Sequence, residues 1–170
     1  MSASADLPVG HRLSVALLQP EIAPNTGNIG RLCVTTGAAL HLVRPLGFVL
    51  SDRNLKRSGM DYWERLAVRV HDDDEAFFTA IGDARVHLFT SKAGRGIWDA
   101  AFAEGDVLIF GSETKGISER VRSRYPDRGV RIPQVAGERC LNLATAVGIG
   151  VYEALRQIRC RGTVRQASPK

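Results

Sequence analysis

Three stretches of this chain combine residue types and spacings that could do chemistry. In Pro24-Asn25-Thr26-Gly27-Asn28-Ile29-Gly30-Arg31, an amide and a cation sit at the opening of a helix, which suits a phosphate. In Gly111-Ser112-Glu113-Thr114-Lys115-Gly116, the glycines let backbone approach a ligand and Glu113 can accept hydrogen bonds at a strand end. In Ile132-Pro133 through Cys140-Leu141-Asn142, Pro133 stiffens the entry and Asn142 can cap the long helix that follows. Each alone has a sufficient structural reading: a capped turn with a surface Arg, an ordinary strand-to-helix turn, a helix cap. Together they are more specific, because each follows a strand of what reads as one parallel sheet. The carboxyl edge of such a sheet is where open α/β folds bind ligands.

The elements that must position these stretches can be read from apolar runs and their punctuation. Residues 13–18, 40–43, 66–70, 86–90, 107–110 and 130–132 read as strands. Asn28 is the expected cap of a helix over 29–36, ended by Gly37. Residues 51–56 read as a capped helical turn carrying Arg53 and Lys56, with Arg57 just beyond it. Further helices are expected near 76–81, 118–125 and 143–159. In the last, Gly148 and Gly150 cost about 1 kcal/mol each against alanine and so suggest tight packing. The predicted fold class is α/β, a mostly parallel sheet with helices on both faces. The predicted organisation is a disordered segment at 1–12, one domain over 13–160 and a loose basic tail at 161–170.

Composition narrows the function classes. With 170 residues, 44% hydrophobic and 24% charged, the chain reads as a soluble globular domain. A net charge of +5 makes an anionic partner, nucleic acid first, the expectation. Three cysteines, Cys33, Cys140 and Cys160, form no C-x-x-C pair and suit a reducing cytosol. Residues 1–10 lack the basic start and apolar stretch of a signal peptide, and a cytoplasmic protein is expected. No G-x-G-x-x-G follows the first strand and no phosphate-loop lysine motif occurs, which argues against a Rossmann dinucleotide site and a P-loop enzyme. His11, His41, His71 and His87 are scattered; His41 and His87 fall in strand patterns and read as structural. Acidic residues 72–75 precede a helix, where the macrodipole favours them, so no metal is expected there.

The three stretches, in this order, resemble the SPOUT superfamily of RNA methyltransferases in its tRNA ribose 2′-O-methyltransferase branch. The likeness runs from about residue 13 to 157 and is closest to short members acting on the wobble nucleotide of the anticodon. It implies a trefoil knot in the C-terminal part, S-adenosylmethionine as cofactor, a homodimer, and tRNA bound through the anticodon stem-loop. It implies Asn25, Arg31, Glu113 and Asn142 at the reacting centre. Cofactor contacts are implied at Phe89, Thr90, Gly111, Glu113, Gly116, Ile132, Cys140 and Leu141, in loops 89–94, 110–116 and 132–141. The family usually has Ser where this chain has Cys140, a poorer hydrogen-bonding group. RNA contact is expected at Arg31, Arg53, Lys56, Arg57, Arg156 and Arg159. The alternatives are a non-catalytic RNA-binding module on the same fold, and an unrelated α/β phosphatase or nucleotide-binding protein.

Overall fold

In the computed structural model, residues 7, 10–50 and 61–166 are described. Six strands, β1 (Ser14–Leu18), β2 (Ala39–Val43), β3 (Val68–His71), β4 (Val86–Phe89), β5 (Val107–Phe110) and β6 (Gly129–Val130), form one sheet in the order β3-β2-β1-β5-β4-β6. Every pairing is parallel. The strand order reverses between β1 and β5, whose ends are in register at Leu17 and Phe110, so the loops leaving both strands emerge side by side. Phe89 of β4 lies opposite Phe110 and Val130, which brings two more loops to the same edge.

Buried residues sort by side-chain alternation into two cores, one on each face of the sheet. Val15, Leu17, Leu40, Leu42, Leu108 and Phe110 face α1 (Ala23–Thr36) and α4 (Leu143–Gln166), packing on Ile29, Cys33, Val147, Val151 and Leu155. Ala16, Leu18, Val43, Leu88 and Ile109 face α2 (Asp74–Ile81) and α3 (Glu119–Arg124) through Phe77, Phe78 and Val121. The sheet is thus covered on both faces, as its apolar strands require.

Several boundaries differ from the sequence reading, each for a physical reason. Helix α1 begins at Ala23, not after Asn28, because proline is tolerated in a first turn and its missing N–H needs no partner there. It ends as expected at Gly37, in the left-handed conformation. Strand β6 stops at Val130; Arg131 makes only an isolated bridge to Gly96, and Pro133 has no N–H to continue the ladder. The strand expected at 66–70 is Val68–His71, after a short 3₁₀ turn. Helix α4 runs to Gln166, past the point where a loose tail was expected, since no proline interrupts it before Pro169. His11, expected in a disordered start, is buried, with Nε2 2.7 Å from the Thr36 carbonyl and Nδ1 accepting from the Leu13 N–H. Gly150 is packed as expected: a Cβ there would lie 2.9 Å from the Phe89 ring, whereas one at Gly148 meets nothing within 4 Å.

The acidic run is spent on structure. Asp73 caps α2 by accepting from the Ala76 N–H, and Asp74 and Glu75 pair with Arg120 and Arg124 of α3. His87 sits 2.8 Å from buried Asp106, which also binds Arg85, at the edge of the sheet opposite the three loops. His41 and His71 are stacked side by side with Nδ1 and Nε2 2.9 Å apart and the Phe77 ring edge-on to both. Burial first, then the neighbouring His71 and Arg69, lowers the His41 pKa from 6.5 to about 4. Burial and Arg69 also lower His71, against the pull of Asp72. Both imidazoles bind a proton less readily in the folded state than in the unfolded one. The contribution of His41 to stability is therefore complete above about pH 6.5 and is lost as pH drops from there towards 4. Thermal unfolding measured across that window should show a shallower decline in His41→Phe than in the parent.

Candidate active site

The first turn of α1 is held from across the sheet. The Glu113 carboxylate, on the loop after β5, accepts from the Glu21 N–H (2.8 Å) and from the N–H of Ile22, the N-cap of α1 (3.3 Å). It also accepts from Asn25 Nδ2 at 3.0 Å. Asn25 Oδ1 in turn accepts from Asn142 Nδ2 at 2.9 Å, and Asn142 Oδ1 takes the N–H groups of Ala144 and Thr145. Asn142 thus caps α4, as its position in the sequence suggests. One chain of side chains, Glu113 to Asn25 to Asn142, joins segments separated by 88 and 117 residues.

Beside this chain, at the carboxyl edge of β4 and β5, lies a cavity of about 460 Å³. All three expected loops line it. Phe89, Thr90, Gly111, Glu113, Gly116, Ile132, Cys140 and Leu141 are on its wall, as are Asn25 and Asn142. Gly111 is indispensable in space: a Cβ there would fall 2.0 Å from the Gly116 carbonyl carbon and 2.2 Å from the Ile117 nitrogen. Cys140 is a free, exposed thiol, and no histidine is among the lining residues. Among the described residues, no group of three or more His, Cys, Asp or Glu side chains could hold a metal ion.

The expected cations distribute differently. Arg31 is exposed on α1 and does not line the cavity; its guanidinium lies 5.3 Å from the centre of the Tyr62 ring. Six residues beyond Asn25 is about 240° around the helix, so the two side chains leave α1 on different sides. Arg156 is on α4, paired with Glu153 at 2.8 Å through two nitrogens. Arg53, Lys56 and Arg57 lie outside the described residues. Sequence reasoning did not single out Glu21, Ile22 or Arg122, and placed Lys92 and Thr114 only within the expected loops 89–94 and 110–116. Of these, Glu21 binds the Thr114 N–H and hydroxyl; the others line the cavity. The signal for Glu21 was its place directly after the first strand, obscured by a stretch that reads as a turn.

Residues 12–152 match the SpoU rRNA Methylase family. The tRNA (cytidine(34)-2'-O)-methyltransferase of Methylovorus glucosotrophus (strain SIP3-4) is 46% identical over 151 residues, covering 88% of this chain and 98% of that relative. The enzyme of the same name from Escherichia coli (strain K12) is 42% identical over 153 residues, with 89% and 98% covered. A solved structure reported as "Structural insights into the 2-OH methylation of C/U34 on tRNA" has a TM-score of 0.81 at 45% identity, covering 87% of this chain and 97% of that one. With the family matched across most of its length, and the cavity formed by the loops on which the resemblance rests, the chain belongs to the SpoU rRNA Methylase family.

Proposed function

We propose that this protein methylates the ribose 2′-hydroxyl of tRNA nucleotide 34, the wobble position of the anticodon loop, with S-adenosylmethionine as methyl donor. The observation that carries the reading is the convergence of three loops on one cavity, in a chain 46% identical to a tRNA (cytidine(34)-2'-O)-methyltransferase over most of both lengths. The cavity suits such a cofactor: its volume is within the range of about 300–1,000 Å³ typical of small-molecule sites, and its lining includes Gly111 and Gly116. Thr90, Gly111, Gly116, Ile132, Cys140 and Leu141 would surround the cofactor, with Phe89 at the floor. Bound there, S-adenosylmethionine would supply a methyl group carried on a positively charged sulfur.

The chain's own contribution is placement. Asn25, Glu113 and Asn142 satisfy one another and tie together the start of α1, the loop after β5 and the start of α4, so rate enhancement comes from holding the reactants in line. Arg31 is assigned an electrostatic role, because a guanidinium is a fixed cation: it clamps RNA and stabilises charge developing on the ribose oxygen. Since Arg31 does not line its own cavity, we assign it to the cavity of a second copy in a homodimer. Ile149 and Tyr152, exposed a turn apart on α4, support such a contact. We also read the C-terminal part as knotted, as the resemblance implies, and the protein as cytoplasmic. No helix among the described residues is long and apolar enough to cross a membrane.

Transfer of labelled methyl to tRNA from cells lacking this protein, followed by nuclease mapping, tests the function. Label on the ribose of nucleotide 34 is expected; tRNA binding without label would make the chain a non-catalytic RNA-binding module. Arg31→Ala should cut single-turnover methyl transfer by about 10²-fold while leaving cofactor affinity unchanged, and Arg31→Lys should retain much of the rate. Arg53, Lys56 and Arg57 are proposed as contacts to the tRNA backbone. Replacing all three with Ala should reduce the salt slope of tRNA binding by about 2–3, measured by titration across salt concentrations.

A further inference from the structure

The mechanism above leaves Glu21 unused, although its carboxylate reaches the loop that lines the cavity. Glu21 Oε2 accepts from the Thr114 N–H at 3.0 Å and Oε1 from the Thr114 hydroxyl at 2.7 Å. In the opposite direction, the Glu21 N–H donates to Glu113 at 2.8 Å. Two carboxylates therefore cross between the same two loops, each satisfying backbone of the other. The Glu21 backbone is gripped from behind as well. The Gly47 N–H donates to the Pro20 carbonyl at 2.9 Å, and a Cβ on Gly47 would lie 2.6 Å from the Glu21 carbonyl oxygen. Glu21 is thus a fixed post between the loop after β2 and the turn at 111–116.

Both Thr114 contacts are solvent-exposed, so they add little to global stability. Their effect is local: they restrain the middle of a turn whose two ends, Gly111 and Gly116, line the cavity. We propose that Glu21 and Thr114 are a positioning pair, holding the turn at 111–116 in the shape that receives the cofactor. Its bearing on methyl transfer rests on the function proposed above.

The test uses the full chain with Glu21→Ala, Thr114→Val, Thr114→Ser and the double variant Glu21→Ala/Thr114→Val. Glu21→Ala keeps the backbone N–H that serves Glu113, so the catalytic network is not itself cut. Without any ligand, Glu21→Ala should lose the hydrogen-exchange protection of the Thr114 amide; unchanged protection overturns the pair. With S-adenosylmethionine, Glu21→Ala should raise Kd about tenfold, with melting temperature moved by less than about 2 °C. Thr114→Val should be impaired and Thr114→Ser restored, and the double variant should be no worse than Glu21→Ala. Parental affinity in Glu21→Ala, additive losses, or a fall in melting temperature that accounts for the lost affinity would each overturn it. If the parent itself transfers no methyl to tRNA, the functional reading fails, while the exchange result still decides the pair.

Discussion

Glu113→Ala should weaken S-adenosylmethionine binding by about two orders of magnitude. The carboxylate satisfies the Glu21 and Ile22 N–H groups and the Asn25 amide, and alanine leaves all three without their acceptor. At about 1 kcal/mol for each lost bond, the loss is about 3 kcal/mol, or about 10² in an equilibrium constant. Asn25 is then free to rotate, and the Asn142 amide that donates to it loses its fixed partner. The damage therefore spreads from the second loop to the third. Glu113→Gln is the informative companion. It keeps the volume but turns one acceptor into a donor facing an N–H, and should cost about tenfold. Calorimetric titration with the cofactor measures both. If Glu113→Ala binds within twofold of the parent, the loops are held by something other than this network.

Gly111→Ala should do more, both to affinity and to stability. An added methyl group falls 2.0 Å from the Gly116 carbonyl carbon and 2.2 Å from the Ile117 nitrogen, far inside the roughly 3.5 Å at which carbon atoms attract. The obstacle is backbone, and it belongs to the same tight turn, so no side chain can rotate aside. Opening the turn breaks the Gly116 N–H bond to the Ser112 carbonyl, at 2.8 Å, and widens the wall of the cavity. A destabilisation of about 3 kcal/mol is expected, a fall in melting temperature of about 6–12 °C, with cofactor binding lost. Gly150→Ala gives the contrast. Its methyl would lie 2.9 Å from the Phe89 ring and 3.2 Å from the Phe110 ring, which can shift slightly, so about 1–2 kcal/mol is expected. Equal losses in the two variants would mean that the turn at 111–116 is more pliable than its contacts suggest.

Much of this architecture was legible before any coordinates. The apolar runs at 13–18, 40–43 and 107–110 are central strands buried on both faces, which is why they read as continuous hydrophobic stretches. Gly37 and Asn142 were legible as helix punctuation because stop and cap signals are local. The start of α1 was not: Pro-Asn-Thr-Gly-Asn has turn composition, and bonds from Glu113, 88 residues away, help hold it as the first turns of a helix. Resemblance brought the cavity-lining residues together, and their mutual bonds could not be read from spacing. Arg31 shows the converse: it shares a motif with Asn25, yet helical geometry turns it away from the cavity. Glu21 looked like filler between two prolines, because its partner is 93 residues distant.

The join between Asn25 and Asn142 spans 117 residues, and this sets an order on the protein's birth as well as its architecture. During synthesis, β1 and α1 leave the ribosome long before the helix that Asn142 caps exists. The emerging chain can pair β1 with β2 early, but its catalytic wall stays open until the final stretch has been translated and docked. Contacts so distant in sequence are slow to form, because the entropy of closing the chain comes before any reward. A product truncated before Asn142 should therefore leave the ribosome with a substantial part of its sheet and no competence for its cofactor.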